Sequence, residues 1–343
     1  MNARGLQKDL DLKCEDQTLA VYPAPRLVLS KAEARGGDVT KYEFRDAQGG
    51  DLSEWDAGAH LDIVVAPEFL RQYSMSGNPA DRKVYQIGVL REDGGRGGLK
   101  LLRRVFSEWH KVFVSKPINH FPLEMGAKRY LLTGGGIGIT PMIAMAHELH
   151  ALGKDFTVHY SLPSRGAAGY LEDLAAVPWA DAVPWADNVL FHVSDEGTRC
   201  DLDKALAGYT DGWHVYTCGP DRYVSGVMEA AERAGFPEEA WHLEYFSVPE
   251  LPDYVNHPFV LKQKDGRKLQ VPSDRAATDV LAENGVVVDV KCSDGICGVC
   301  KCGLVSGEVE HRDFVLSRKQ RETSVILCQS RAAEAGGVIE VDL

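Results

Sequence analysis

The chain has 343 residues, enough for two or three domains with separate cores. Its 50 acidic against 38 basic side chains leave a net charge of -12, which argues against a nucleic-acid partner because phosphate binding needs a basic face. Residues 1–20 hold no signal-peptide core, and the longest apolar stretch, 140–146, is too short to span a bilayer, so a soluble cytoplasmic protein is expected.

Residues 1–25 read as an N-terminal extension. From 26 to 126 the pattern is short and alternating. Val39-Thr-Lys-Tyr-Glu-Phe44, His60-Leu-Asp-Ile-Val-Val65 and Val84-Tyr-Gln-Ile-Gly-Val-Leu90 are strands bounded by turn residues. Strands at this spacing predict a small antiparallel β-barrel. Within it, Arg71-Gln-Tyr-Ser74 offers a guanidinium fork for a phosphate, an aromatic plate at Tyr73 and a small donor at Ser74. Alone, that pattern fits a plain barrel strand equally well. Arg96-Gly97-Gly98 adds a second arginine on permissive backbone about one hairpin later, and two such elements can cradle an anion.

The texture changes at 127. Strands at Tyr130-Leu-Leu-Thr133, Phe156-Thr-Val-His-Tyr-Ser161, Val189-Leu-Phe-His-Val193 and His214-Val-Tyr-Thr217 are separated by helical segments, including 141–152 and 223–234. This alternation predicts a doubly wound parallel sheet over 127–248. Gly134-Gly135-Gly136-Ile137-Gly138-Ile139-Thr140-Pro141 follows the first of these strands and opens a helix. Glycines there allow a tight turn and the close approach of a pyrophosphate, though a purely structural turn would use them too. Cys218-Gly219-Pro220 ends a later strand, and strand C-termini on one edge of such a sheet are where ligands bind. The tandem copies at 176–181 and 182–187 read as a surface insertion.

Residues 249–258, with three prolines, read as a linker. A hairpin turns at Asp265-Gly266, and a short helix spans 278–283. Cys292, Cys297 and Cys300 then stand as C-x4-C-x2-C, with Cys328 on a later strand. This is the plant-type spacing for a [2Fe–2S] cluster, whose irons need four thiolates from a tight loop and a distant segment. Structural zinc is the alternative, but its paired C-x2-C knuckles are missing. Five of eight cysteines crowd into the last fifth of the chain, which favours metal over disulfides. Cys302 is read as a small buried hydrophobe rather than a spare ligand, and Cys14 and Cys200 as structural.

The segments RQYS, GRGG, NHFPL, GGGIGITPM, CGP, HLEYFS and CSDGICGVCK, in this order, resemble the phthalate dioxygenase reductase family, which includes vanillate demethylase reductases. The resemblance covers 26–343. It implies FMN in the barrel, NADH on the α/β domain, a C-terminal α+β ferredoxin-like (β-grasp) domain over 259–343, and a Rieske-type oxygenase as electron acceptor. A monomer is the family-like expectation.

By the same resemblance, Arg71 and Arg96, with Gly97 and Gly98, hold the FMN phosphate, while Tyr73 and Ser74 contact the isoalloxazine. Gly134, Gly135, Gly136, Gly138 and Thr140, with Cys218, Gly219 and Pro220, take the nicotinamide dinucleotide. Cys218 would lie near the nicotinamide ring, and Phe246 would stand where ring stacking is controlled. Ser74, Cys218 and Phe246 are therefore the residues expected beside the chemistry. Two positions depart from the pattern: Leu99 where a serine is common after GRGG, and Ile118 where an arginine is common. The rival readings are a reductase for another acceptor such as a cytochrome P450, a non-enzymatic redox sensor, and a zinc-binding interaction module.

Overall fold

The computed structural model describes residues 26–66, 69–91, 111–176, 188–249 and 253–343. The N-terminal extension, Arg96, Gly97, Gly98, Leu99 and most of the tandem repeat lie outside the described residues. Two compact units emerge. One runs up to Phe236 and includes Ala240–His242; the other comprises Pro237–Glu239 and Leu243–Leu343.

In the first unit the early strands are β1 (Arg26–Ala34), β2 (Val39–Asp46), β3 (Ala59–Ala66), β4 (Phe69–Ser74), β5 (Tyr85–Leu90), β6 (Lys111–Phe113) and β7 (Ile118–Asn119). They form two sheets, in the orders β5-β2-β1-β6 and β4-β3-β7. Alternation is clearest in β2, where Tyr42 and Phe44 are buried while Lys41, Glu43 and Arg45 on the other face are less so. Bridges Met75↔Ile87 and Ile63↔Val114 join the sheets into a curled antiparallel half-barrel.

The second half of this unit is a parallel sheet. Its strands β8 (Arg129–Gly135), β9 (Asp155–Leu162), β10 (Val189–Val193), β11 (Trp213–Cys218) and β12 (Trp241–Glu244) lie in the order β10-β9-β8-β11-β12. The first four pair in parallel. Helices α1 (Ile139–Ala151), α2 (Leu171–Ala176), α3 (Leu202–Leu206) and α4 (Asp221–Arg233) provide the crossovers. Helix α1 starts two residues before Pro141, which therefore sits inside its first turn. Helix α4 buries Val224, Val227, Ala230 and Ala231, one apolar stripe of an otherwise polar helix.

A short segment fuses half-barrel and sheet. Tyr170 is fully buried, its hydroxyl 2.9 Å from Ser76 Oγ. Asp173 draws in Lys41 at 2.7 Å and Arg35 at 3.4 Å. A Cβ on Gly169 would meet Val39 at 2.7 Å, so only glycine fits there.

The second unit carries β13 (Phe259–Lys262), β14 (Lys268–Val271), β15 (Lys301–Ser306), β16 (Val309–Glu310), β17 (Ser324–Ile326), β18 (Arg331–Ala332) and β19 (Val338–Val341). Its main sheet, ordered β14-β13-β19-β15-β17, is mixed, with β13 and β19 parallel. Helix α5 (Ala277–Glu283) packs Leu281 into a core with Phe259, Leu261, Val325, Ile339 and Val341. This is the α+β ferredoxin-like arrangement.

The end of the expected linker is held down by two buried arginines. Arg312 donates to Asn256 Oδ1 at 2.6 Å and to the Val255 carbonyl at 3.3 Å, pairs with Glu310, and stacks 4.4 Å from the Tyr254 ring. Arg331 donates to the carbonyls of His257, Arg275 and Pro272 and lies over Phe259. Each guanidinium satisfies several backbone or amide oxygens, which makes burial of its charge tolerable. Arg312→Ala should destabilise this unit by about 1.5–3 kcal/mol, the range for a lost hydrogen bond to a charged group. Urea unfolding followed by visible absorption of the C-terminal unit measures this, and an unchanged midpoint would contradict it.

Candidate functional site

The parallel sheet reverses its winding at β8: β9 and β10 extend to one side, β11 and β12 to the other. Ligands of such sheets bind beyond the strand C-termini at that switch point. Gly134, one residue before the end of β8, lies directly opposite Cys218, the last residue of β11. Gly136 has φ of 56° with open space where a side chain would begin, whereas Gly138 lies so close to β11 that a Cβ would meet the Cys218 carbonyl oxygen at 2.3 Å. Cβ atoms on Gly134 and Gly135 would meet Ile139 at 2.8 Å and Tyr223 at 2.9 Å, and one on Gly219 would meet Gly135 at 3.0 Å. Helix α1 begins immediately after this turn with no side-chain cap and no acid in its first turn. Its first N–H groups and dipole therefore favour an anion. Thr140 is buried and donates its hydroxyl to the Ile137 carbonyl at 3.0 Å, shaping the turn. The Cys218 side chain is fully buried.

In the half-barrel, Arg71, Tyr73 and Ser74 occupy the C-terminal half of β4. They pair with Ile63, Leu61 and His60 of β3. The Tyr73 hydroxyl is buried and has no hydrogen-bond partner among the described residues. Burial raises its pKa, so it stays a neutral donor. A buried phenol without a partner is costly, and a bound group with an acceptor would satisfy it. The adjacent ladder carries residues the sequence reading did not single out. Gln72 reaches Asp62 at 3.1 Å and His60 at 3.2 Å, and the His60 and His120 rings lie 5.4 Å apart. Asp62, a buried acid in the apolar run H-L-D-I-V-V, was the available signal.

The cysteine loop belongs to the second unit. Cys292 contacts the thiols of Cys297 and Cys328, and Cys300 contacts Cys328. The four sulfurs thus converge. Cys297 and Cys328 hold the Cys292 thiol far below its ordinary pKa, helped by N–H groups of Asp294, 3.3 Å away, and Ile296. Cys328 lies in the turn just after β17 rather than on the strand. Gly295 adopts φ of 75° and packs against Arg312 and Asp313, while Gln329 donates to the Ser293 carbonyl at 2.6 Å. Leu316 and Ile326, with Val288 and Val315, form an apolar surround for Cys300 and Cys328. Such a donor set, with backbone N–H aimed at sulfur, fits an iron–sulfur cluster. Cys302 faces away into the sheet core and its thiol donates to Asp342 Oδ1 at 3.2 Å. Phe246, 43% exposed, also belongs to this second unit, in the segment following β12.

Comparison with known proteins agrees with this geometry. The 2Fe-2S iron-sulfur cluster binding domain family matches residues 260–333. The reductase subunit of a tert-butanol monooxygenase / tert-amyl alcohol desaturase from Aquincola tertiaricarbonis is 39% identical, covering 93% of this chain and 97% of the relative. A vanillate O-demethylase oxidoreductase from a Pseudomonas strain is 36% identical over 92% and 99% of the two chains. The phthalate dioxygenase reductase of Burkholderia cepacia is 32% identical over 92% of this chain and 97% of its own. Among solved structures, a phthalate dioxygenase reductase described as modular for electron transfer from pyridine nucleotides to [2Fe-2S] superposes with a TM-score of 0.65. It is 32% identical and covers 93% of this chain and 98% of its own. An intact type IV self-sufficient cytochrome P450 monooxygenase gives a TM-score of 0.78 at 34% identity, although this chain spans only 41% of it. With its half-barrel, nucleotide-type sheet and cysteine loop, the chain belongs to the phthalate dioxygenase reductase family of flavin- and nicotinamide-dependent [2Fe–2S] oxidoreductases, alongside the vanillate O-demethylase oxidoreductases.

Proposed function

We propose that this chain is the NADH-dependent reductase component of a multicomponent Rieske-type oxygenase or demethylase, acting in the cytoplasm as a monomer. The observation that carries the reading is the convergence of four cysteine sulfurs in a chain matched over more than nine-tenths of its length by reductase subunits of oxygenase systems. Relatives named for vanillate O-demethylase and phthalate dioxygenase support an oxygenase as the acceptor. Among the described residues no helix is long and apolar enough to cross a membrane.

In this reading the domains are 26–126 for FMN, 127–248 for NADH and 259–343 for the cluster, with 249–258 between them. The bound groups supply the chemistry, hydride acceptance by a flavin and one-electron carriage by a cluster. The protein supplies position. Arg71 and Arg96, with Gly97 and Gly98, hold the FMN phosphate. Tyr73 offers its unpaired hydroxyl, and Ser74 lines the same strand end. Backbone at Gly134, Gly135, Gly136 and Gly138, with Gly219 and Pro220, receives the dinucleotide, while Thr140 fixes the turn. Cys218 lies near the nicotinamide ring, and the resemblance assigns Phe246 to the control of ring stacking. Cys292, Cys297, Cys300 and Cys328 bind the cluster.

Three outcomes test these assignments. Cys328→Ala should abolish the visible absorption of the cluster while Cys302→Ala keeps it; the reverse pattern would make Cys302 the fourth ligand. Arg71→Ala should weaken FMN by about 1.5–3 kcal/mol, roughly 10- to 150-fold, because a charge-assisted bond to a phosphate disappears. Flavin dissociation measured by fluorescence would refute the assignment if the variant matched the parent.

Coenzyme choice turns on Arg165, which lies just beyond β9 where a cation would meet a 2′-phosphate. Its guanidinium is held in a two-point pair with Glu196, at 2.6 and 3.1 Å. NADH should therefore have the higher kcat/KM. Arg165→Ala should lower residual NADPH use, and Glu196→Ala should raise it. A parent that prefers NADPH, with the preference abolished in Arg165→Ala, would overturn this expectation.

A further inference from the structure

His159 lies on β9 and His192 on β10. In the parallel ladder His192 is opposite Ser161, and strand alternation puts His159 and Ser161 on the same face. The two imidazoles therefore meet: His159 Nδ1 is 3.0 Å from His192 Nε2, with ring planes inclined by only 3°. Cys200 arrives from the loop that leads into α3, and its Sγ is 3.7 Å from the same His159 Nδ1. All three donor atoms fall within 4.8 Å of one another.

We propose that His159, His192 and Cys200 form a binding site for a borderline divalent cation, zinc in the first instance, separate from the cluster cysteines. A tetrahedral zinc at the usual bond lengths of ~2.0–2.1 Å to nitrogen and ~2.3 Å to sulfur sets two nitrogens roughly 3.3 Å apart and nitrogen and sulfur roughly 3.6 Å apart. The observed separations of 3.0 and 3.7 Å need adjustments of a few tenths of an ångström, within the reach of a side-chain rotation. Two imidazoles and a thiolate select zinc-like ions over magnesium or calcium, which prefer oxygen. A fourth position is left for water, as in three-ligand zinc sites.

The site is built rather than incidental. Thr198 clasps the end of β10 twice: Val193 N–H donates to its hydroxyl oxygen at 2.9 Å, and the hydroxyl donates to the Val193 carbonyl at 3.1 Å. Asp201 caps α3 by accepting from Lys204 N–H at 3.0 Å. Cys200 is pinned between these two fixed points. The imidazoles are kept neutral by burial, the form that binds metal. On binding, the proton between the two rings moves to an outward nitrogen by a tautomer change. The Cys200 thiol proton passes to solvent as the metal–sulfur bond forms, so one proton is released per zinc.

A second pair serves as an internal control. His214 Nδ1 and His242 Nε2 face each other at 2.8 Å, but no thiol joins that pair in the potential metal-binding groups among the described residues.

The test uses the holoprotein, with flavin and cluster in place, stripped of loose metal by a chelator and dialysed against micromolar free Zn2+. Metal analysis should find one zinc per chain with the iron content unchanged. The zinc K edge should report two nitrogens and one sulfur as protein ligands. Cys200→Ser and His192→Ala should each weaken retention at least tenfold, whereas His242→Gln should leave it unaltered. Equal retention by the parent and Cys200→Ser, no retention by an iron-replete parent, or a zinc shell without sulfur would overturn the proposal. The last readout needs only the parent protein, so it stands even if a variant folds poorly.

Discussion

The near-contact of two strand ends shapes the first unit. Gly138 rests against the Cys218 carbonyl, and Gly219 against Gly135, at distances that exclude any side chain from the join. Because β8 and β11 end together here, α1 must begin at once, and its free N–H groups open at the switch point of the sheet. The floor of the crevice is consequently backbone. Binding by backbone depends on the placement of the turn more than on particular side chains, which is why Thr140 is spent on bracing Ile137. The half-barrel is tied to the same sheet through Tyr170 and Asp173, so its β4 strand end and the crevice belong to one compact body.

The second unit obeys a different constraint: four sulfurs must be held in convergence by a loop with little regular structure. Neighbouring backbone does this work. Phe314 N–H donates to the Gly295 carbonyl, Gln329 to Ser293, and Leu327 N–H to the Cys300 carbonyl. Asp313, whose side chain is buried, accepts from the N–H groups of Val315 and Leu316 and so stiffens the supporting strap. Arg312, next to it, anchors the incoming chain at Val255 and Asn256. The path into this unit is therefore fixed by the same segment that braces the cysteine loop.

Local patterns were the legible part of the sequence. The C-x4-C-x2-C spacing, the alternation of β2 and the glycine turn after β8 each express a constraint confined to a few residues. What stayed hidden depends on register or on burial of atypical residues. Cys328 could be paired with the loop by spacing, yet its place in a turn beyond β17 follows from where pairing with Lys301 stops. Arg312 and Arg331 drew no expectation from the sequence and are interior anchors, since nothing local announces the carbonyls they meet. His159 and His192, 33 positions apart, meet only because β9 and β10 are adjacent and in register, and Cys200 was read as merely structural for the same reason.

The most direct test of electron flow through flavin to the cluster is anaerobic addition of NADH to purified holoprotein, followed by visible and paramagnetic resonance spectra. The account predicts that flavin and cluster absorption both bleach in the intact protein and that a reduced-cluster resonance appears. It also predicts that a flavin-depleted preparation with full iron content keeps its cluster oxidised. Cluster reduction by NADH without flavin, or an intact holoprotein whose cluster stays oxidised, would contradict it.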